Sequence, residues 1–363
     1  MPSVLKPQVA CFYNENIVAP ATARMQKRPY HRRLSCCCSG AFMQNILLYL
    51  ITVLIWGSTW FAIEFQLGDV AVEASLTYRF ALSALLMWGY CLWRRLPMRF
   101  NAKDHGFIAL LALFNFALNY ILIYQAQQYL TSAMTAIAFT TMLLMNIVNT
   151  RLFFGKPVAK RIYFGALMGI AGIVVLFWPD LDGLDLTNAS LLGLILVLGS
   201  ALSASLGNMA SVRNSRAGLP IMQVNAWGML YGTIMLALMV GISGTSFTFS
   251  TAPAYIISLL YLAVFGSVIA FATYFALLKG MGPEKASYTI VLFPLVAVVL
   301  STLFEDFIWT SYTFSGFALV LLGNALVLTP FAKIKALLFK PALAAEPELP
   351  QAETPAAKSS VTT

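Results

Sequence analysis

One arginine lies inside an otherwise apolar stretch of this chain. The stretch is SLTYRFALSALLMW, residues 75–88, and the nearest polar neighbours of Arg79 are the hydroxyls of Thr77 and Tyr78. A guanidinium is always charged, and placing one at the centre of a membrane helix costs about 3 kcal/mol on insertion scales. Arg79 is therefore expected to face protein groups rather than lipid.

Two interpretations of Arg79 are open from the sequence. In the functional one, it reaches an anionic substrate group such as a carboxylate. In the structural one, it forms an ion pair with Glu64, which lies near the same end of the preceding apolar segment, or it extends towards lipid phosphates.

Other polar and aromatic side chains within the apolar segments form a second candidate group. Asn115 and Asn119 are one helical turn apart, as are Tyr120 and Tyr124, so each pair shares a helix face. Amides without hydrogen-bond partners are costly in lipid. These side chains should therefore either face a wet cavity or form hydrogen bonds with each other between helices. The predicted substrate-binding residues are Trp56, Ser58, Thr59, Trp60, Glu64, Arg79, Asn115, Asn119, Tyr120, Tyr124, Asn146, Asn208, Asn225, Tyr274 and Tyr288. Pro294 should bend the ninth segment, either for gating or as an inert kink.

The composition indicates a membrane protein. Of 363 residues, 60% are hydrophobic and only 10% are charged, whereas soluble domains have about 25% charged residues. A helix that spans a bilayer needs about 20 apolar residues. The chain has ten such segments, at about 44–66, 73–94, 105–128, 131–153, 160–178, 188–212, 220–242, 253–279, 284–304 and 311–330.

The basic residues alternate between the connections. Of 23 Lys and Arg residues, all except Arg79 fall in the two tails and in every second connection, and the other connections carry acidic residues such as Asp69, Glu73 and Glu305. The positive-inside rule then predicts that both termini are cytoplasmic. The net charge of +9 is thus an orientation signal and does not indicate nucleic-acid binding.

Two parts of the chain resemble each other at a constant offset of 151 residues. The segment LFFGKPVAKRIYFGALMGIAGIVVLFWP from Leu152 aligns with LFEDFIWTSYTFSGFALVLLGNALVLTP from Leu303, which matches Gly165 with Gly316 and Gly172 with Gly323. The chain is predicted to consist of two five-helix repeats, 43–179 and 188–330. Because five is odd, the repeats must be inverted relative to each other, as in many secondary transporters.

Three further segments flank these repeats. Residues 1–42 are basic and without periodicity, so they are expected to be a disordered extension or a misassigned start, with Met43 as the true first residue. Residues 180–187 are expected to be an acidic external linker. Residues 331–363 are rich in Pro, Ala and Glu and are expected to be a disordered cytoplasmic tail.

Four motifs together resemble the drug/metabolite transporter superfamily, specifically EamA-type exporters. They are IWGSTWFAI, YRFALSALL, LFPLVAVVLSTLFE and GFALVLLGNALVL, in the first, second, ninth and tenth segments. The resemblance covers about 44–330. It implies an all-α polytopic bundle of ten helices in the inner membrane, a central cavity, and export of a small metabolite, amino-acid-like or other, or a drug.

No catalytic or cofactor pattern is present in the sequence. It has no HExxH motif, no P-loop and no cysteine or histidine spacing typical of zinc, so no metal, cofactor or ATP site is predicted. The predicted partners are a small-molecule substrate and the bilayer, with protons as an open possibility for the coupling ion. An importer of the same fold and a lipid-modifying membrane enzyme are the alternatives. The oligomeric state is not determined by the sequence.

Overall fold

The computed structural model describes residues 31–155, 159–181, 189–281 and 289–329, with side chains from residue 43 onward except at 161, 180, 181, 275 and 278–281. All regular structure in these ranges is helical. The main helices are α1 (His31–Glu64), α2 (Val72–Trp93), α3 (Ala102–Ala126), α4 (Ser132–Phe154), α5 (Lys160–Leu176), α6 (Ala189–Arg216), α7 (Ile221–Ser243), α8 (Pro253–Tyr261, Leu262–Ile269 and Ala270–Met281), α9 (Thr289–Phe304) and α10 (Ser311–Leu328).

Each of the ten predicted segments overlaps one of these helices. The first is described from His31, so it includes part of the extension at residues 1–42, whose disorder or misassigned start stays a prediction. The fifth ends at Leu176, and a single-turn helix, Trp178–Leu181, follows it. Residues 1–30, most of the predicted linker, and the chain from residue 330 on lie outside the described residues.

The helices are those of a polytopic membrane protein. Within the described ranges, seven continuous helices, including α3, α4 and α6, are long and apolar enough to cross a bilayer. Two shorter apolar helices, Ile162–Leu176 and Thr289–Phe304, accompany them. Ten membrane crossings and cytoplasmic termini stay predictions.

Short-range signals in the sequence define several helix ends. The side chain of Asn101 accepts a hydrogen bond from the backbone N–H of Asp104 at the start of α3, and Thr131 does the same for Met134 at the start of α4. Thr310 and Thr313 form a reciprocal capping pair at the start of α10. Such caps satisfy backbone N–H groups that have no partner within the helix.

Three helices change their winding partway along. The α3 segment Leu113–Leu118 and the α8 segment Leu262–Ile269 are π-helical, and an offset of 151 relates their C-terminal ends. In α4, Thr140 and Thr141 interrupt the α-helical pattern, and their hydroxyls donate to the carbonyls of Ile137 and Ala138 at 2.7 and 2.9 Å. π-helical turns of this kind often occur at functional sites.

Corresponding helices of the two predicted repeats pack against each other. The pairs are α2 with α7, α4 with α9, and α5 with α10. The first helix of each repeat instead packs between helices of the other repeat. Thus α6 lies against α3 and α4, and α1 contacts α8 through a 2.9 Å hydrogen bond from Thr52 to Thr273.

Glycines allow α5 and α10 to come into backbone contact. A Cβ added to Gly165 would lie 2.6 Å from the carbonyl oxygen of Gly323, and one added to Gly172 would lie 2.8 Å from that of Gly316. The order of these contacts makes the two helices antiparallel. Close approach through small residues is how membrane helices gain packing energy in the absence of a hydrophobic driving force.

We therefore expect Gly165→Ala and Gly172→Ala each to lower the free energy of unfolding by about 1–3 kcal/mol, because the added methyl group must displace backbone. The measurement is thermal or chemical unfolding of the purified protein in lipid or detergent. Gly169→Ala on the same helix is the matched control, since the nearest atom to its Cβ would be 3.7 Å away. A control as destabilised as the other two variants would contradict this account.

Candidate functional site

A cavity of about 210 Å³ lies among the helices of both predicted repeats. Seven aromatic side chains form most of its apolar wall: Trp56, Trp60, Tyr120, Phe139, Phe271, Tyr274 and Phe293. Its polar groups come from Thr59, Arg79, Asn115, Asn119 and Asn208. No aspartate or glutamate is among the described residues that line the cavity.

Arg79 provides the positive charge of this cavity. Its side chain is only 1% exposed, and its guanidinium lies 4.6 Å from the ring centre of Tyr120 on α3. One terminal nitrogen donates a 3.2 Å hydrogen bond to the hydroxyl of Tyr124, whereas Nε is buried without a hydrogen-bond partner. The charge is thus held by aromatic faces and a hydroxyl, and part of its hydrogen-bonding capacity is unused.

The predicted ion pair between Arg79 and Glu64 is wrong. Arg79 follows the first residue of α2 by seven positions, about 10 Å along the helix at 1.5 Å per residue, whereas Glu64 is the last residue of α1. The two groups are therefore at different depths. Glu64 instead accepts a 3.0 Å hydrogen bond from Gln127. Within the described ranges, the ion pair that forms is between Arg213 and Asp104, at 2.6 Å.

A glycine in the π-helical part of α8 makes room beside Arg79. A Cβ added to Gly266 would lie 2.8 Å from the methyl group of Thr59 and 3.6 Å from a terminal nitrogen of Arg79. The guanidinium is thus enclosed by α2, α3 and α8, and the side chain that a Cβ at residue 266 would displace is that of Thr59.

Asparagines join three helices at another part of the wall. Asn208 on α6 accepts from Asn115 on α3 at 3.4 Å and donates to Asn146 on α4 at 3.2 Å. Asn119 accepts a 2.6 Å hydrogen bond from Ser200. These bonds satisfy part of the amide capacity, so the asparagines fix the helices relative to each other while still presenting polar atoms to the cavity.

The structure brings nine of the predicted residues together at the cavity wall: Trp56, Thr59, Trp60, Arg79, Asn115, Asn119, Tyr120, Asn208 and Tyr274. The others lie outside this lining. Tyr124 and Asn146 support lining residues, as described above. Ser58 faces α8, where its hydroxyl is 2.6 Å from that of Tyr261. Asn225 is buried on α7, and Tyr288 lies outside the described residues.

Pro294 lies inside α9, next to the cavity-lining Phe293. A proline cannot bond the carbonyl four residues earlier, which belongs to Ile290, another lining residue. The irregular point of α9 therefore coincides with the cavity. The gating role and the inert kink both stay interpretations of this position.

Sequence reasoning missed the residues that line the cavity with purely apolar side chains: Ile63, Ile123, Phe139, Met142, Ala204, Phe271, Ile290 and Phe293. The repeat offset could have found some of them. Adding 151 to Tyr120 gives Phe271, and subtracting 151 from Tyr274 gives Ile123. The same offset relates Phe139 to Ile290 and Met142 to Phe293, and all of these line the cavity.

Comparison with known proteins identifies relatives of this chain. The EamA-like transporter family matches residues 43–178 and again 191–329. An Escherichia coli K12 protein described as the uncharacterized inner membrane transporter YedA is 30% identical over 69% of this chain and 79% of its own length. The uncharacterized transporter YvbV of Bacillus subtilis is 30% identical over 79% of this chain and 92% of its own. One crystal structure at 19% identity shares the fold, with a TM-score of 0.59 over 80% of this chain and 98% of that one.

The hydroxyl of Tyr124 should be needed to hold Arg79. Tyr124→Phe leaves a buried guanidinium N–H without its acceptor, so we expect a loss of about 1–3 kcal/mol in the free energy of unfolding. Tyr90→Phe removes the same group from an exposed tyrosine on α2 and should change stability by less than about 0.5 kcal/mol. Equal effects in unfolding experiments would show that the bond to Arg79 has no special value.

Proposed function

The chain belongs to the EamA-like transporter family, and on this premise we propose that it exports a small organic anion with an apolar body by alternating access. It is a multi-pass inner-membrane transporter of small molecules and not an enzyme. The lipid-modifying enzyme considered from the sequence is thereby excluded. Import by the same fold is the alternative direction.

One observation carries the anionic class of substrate: Arg79 is a buried cation at the cavity, and no carboxylate of the described residues lines the cavity beside it. A charge taken out of water needs compensation, and a bound anion supplies it. The free Nε and the planar guanidinium suit a carboxylate, which can accept two parallel N–H bonds.

The rest of the cavity supports an apolar body of modest size. Its wall is mostly aromatic, and its volume is about 210 Å³. An apolar cavity of about 150 Å³ holds benzene, so this one has room for a ring with a short carboxylate chain. The described lining offers no acidic group for an ammonium. Among the metabolites anticipated from the sequence, we therefore favour carboxylates without an amino group over amino acids.

The arrangement of the helices supports alternating access. Three pairs of corresponding helices join the two repeats, α4 and α9 of one pair both line the cavity, and α5 and α10 of another are antiparallel, as inverted repeats require. The π-helical segments of α3 and α8, the Thr140–Thr141 turn and Pro294 all lie close to lining residues. Helices with such irregular points can bend there while their ends stay packed.

The proposal can be tested with two labelled compounds that differ at one position, phenylpyruvate and phenylalanine. They share a ring and a carboxylate, but only phenylalanine has an ammonium. We expect everted membrane vesicles that contain the protein to accumulate phenylpyruvate above vesicles without it, and to accumulate phenylalanine much less. Uptake into right-side-out vesicles alone would instead indicate import.

Arg79→Gln should lower phenylpyruvate transport roughly 10- to 100-fold, because a hydrogen bond to a charged group contributes about 1.5–3 kcal/mol. Arg94→Gln is the control, because it removes the same charge from an exposed arginine just after α2, and it should keep full transport. Membrane levels of all variants must match. Full transport by the Arg79 variant, or preference for phenylalanine, would reject the anionic substrate class.

A further inference from the structure

A second pocket lies where α1 ends, the end of the bundle predicted to be external. It has a volume of about 340 Å³, and its polar lining includes Glu64, Gln127, Gln128, Thr131 and Glu305. A neighbouring pocket shares Glu64 and Gln127 with it and adds Glu73. Glu64 belongs to the first predicted repeat and Glu305 to the second, and both line this one pocket.

Glu305 connects the two repeats at this pocket. Its Oε2 accepts a 3.0 Å hydrogen bond from the backbone N–H of Ser132, the first residue of α4, and a 2.6 Å bond from the hydroxyl of Ser301 on α9. A carboxylate at a helix N-terminus is stabilised by the helix dipole. The other oxygen, Oε1, is buried without a hydrogen-bond partner.

Gln127 links this pocket to the cavity. It is 4% exposed, and its amide nitrogen donates to Oε1 of Glu64 at 3.0 Å and to the backbone carbonyl of Trp60, a cavity-lining residue, at 2.9 Å. Because both N–H groups are used, its orientation is fixed, and its carbonyl oxygen is left buried without a donor. Two buried acceptors in one pocket, on Glu305 and Gln127, thus lack a proton donor.

We propose that Glu64 and Glu305 form a proton-binding site, and that the proton bound there is the coupling ion of transport. The second part of this inference rests on the proposed export function. The site would be reached from the predicted external side. Exchange of one outgoing monoanion for one incoming proton moves positive charge inward, so an inside-negative membrane potential drives it.

The chemistry of the pocket suits a proton better than a metal ion. Calcium takes six to eight oxygen ligands, whereas here two of the four carboxylate oxygens already accept N–H or O–H bonds. A proton needs a single carboxylate, and two partly buried carboxylates in one pocket resist being charged together. The other titratable groups lining the two pockets are Glu73 and Tyr129, and no Lys, Arg or His is among their described lining. Asp69 and Asp306 lie in the adjoining loops.

Proton binding would act on the contact between α4 and α9. A proton shared by the two carboxylates lowers the negative charge beside the N-terminus of α4, so the contact across the two repeats weakens. Both helices also line the cavity, through Phe139 and Met142 on α4 and through Ile290 and Phe293 on α9. Protonation would thereby change the distance between α4 and α9, which form two walls of the cavity.

The site can be tested without any substrate by infrared spectroscopy of the protein in liposomes during a pH titration. We expect a protonated-carboxyl band that persists above the acidic range in which exposed glutamates titrate, about pH 4.3. Glu64→Gln should remove or shift this band. Glu305→Gln should have the same effect on the band. If the Glu305 variant does not fold, the Glu64 variant alone tests the site, because it loses only one accepted hydrogen bond. Glu73→Gln is the acidic control and should leave the band unchanged.

Vesicle transport of phenylpyruvate then tests the coupling. We expect an imposed proton gradient to stimulate the wild-type protein several-fold and to have no effect on Glu64→Gln, with a sodium gradient inactive in both. A wild-type band that neither glutamate variant alters, or a Glu64→Gln protein that still responds to the proton gradient, would overturn the inference while leaving export intact. An altered band without any phenylpyruvate transport would instead reject the proposed substrate and keep the proton site.

Discussion

A positive charge buried beside a cavity without a carboxylate partner is the constraint on which this structure depends. Arg79 is held by the hydroxyl of Tyr124 and the ring of Tyr120, both on α3. These contacts lower the cost of burial but leave Nε without a partner. In the proposed function this remaining cost would make the cavity selective, because a bound anion recovers it and a neutral or cationic compound does not.

The two repeats supply similar apolar residues to the cavity wall but different polar residues. The repeat offset relates the lining residues Tyr120 and Phe271, and also Phe139 and Ile290, so both repeats supply similar apolar surfaces. The same offset relates Asn115 to Gly266, where the second repeat has no polar side chain. The two repeats thus supply similar apolar surfaces, while the polar lining groups come mostly from the first repeat.

Gln127 connects this recognition to the acidic pocket. Its amide joins Glu64 to the backbone of Trp60, and Trp60 packs against Phe293 with their ring centres 5.8 Å apart. A change of charge at the pocket therefore has a short path of hydrogen bonds and packed rings to both repeats. Coupling of this kind requires two arrangements of the same contacts, and Glu305, which joins the ends of α4 and α9, is placed to favour one of them.

The sequence by itself determined the positions of the helices and most of the polar wall. Lipid tolerates long apolar helices and excludes unpartnered amides, so residues such as Asn115 and Asn208 had to face inward. It did not determine the partner of Arg79 or the apolar wall. Glu64 and Arg79 are near each other in the chain, but the depth of each along its helix separates them, and only packed helices fix depth and rotation. Side chains such as Phe139 and Phe293 are equally stable in lipid and in a cavity, so only the tertiary structure could assign them.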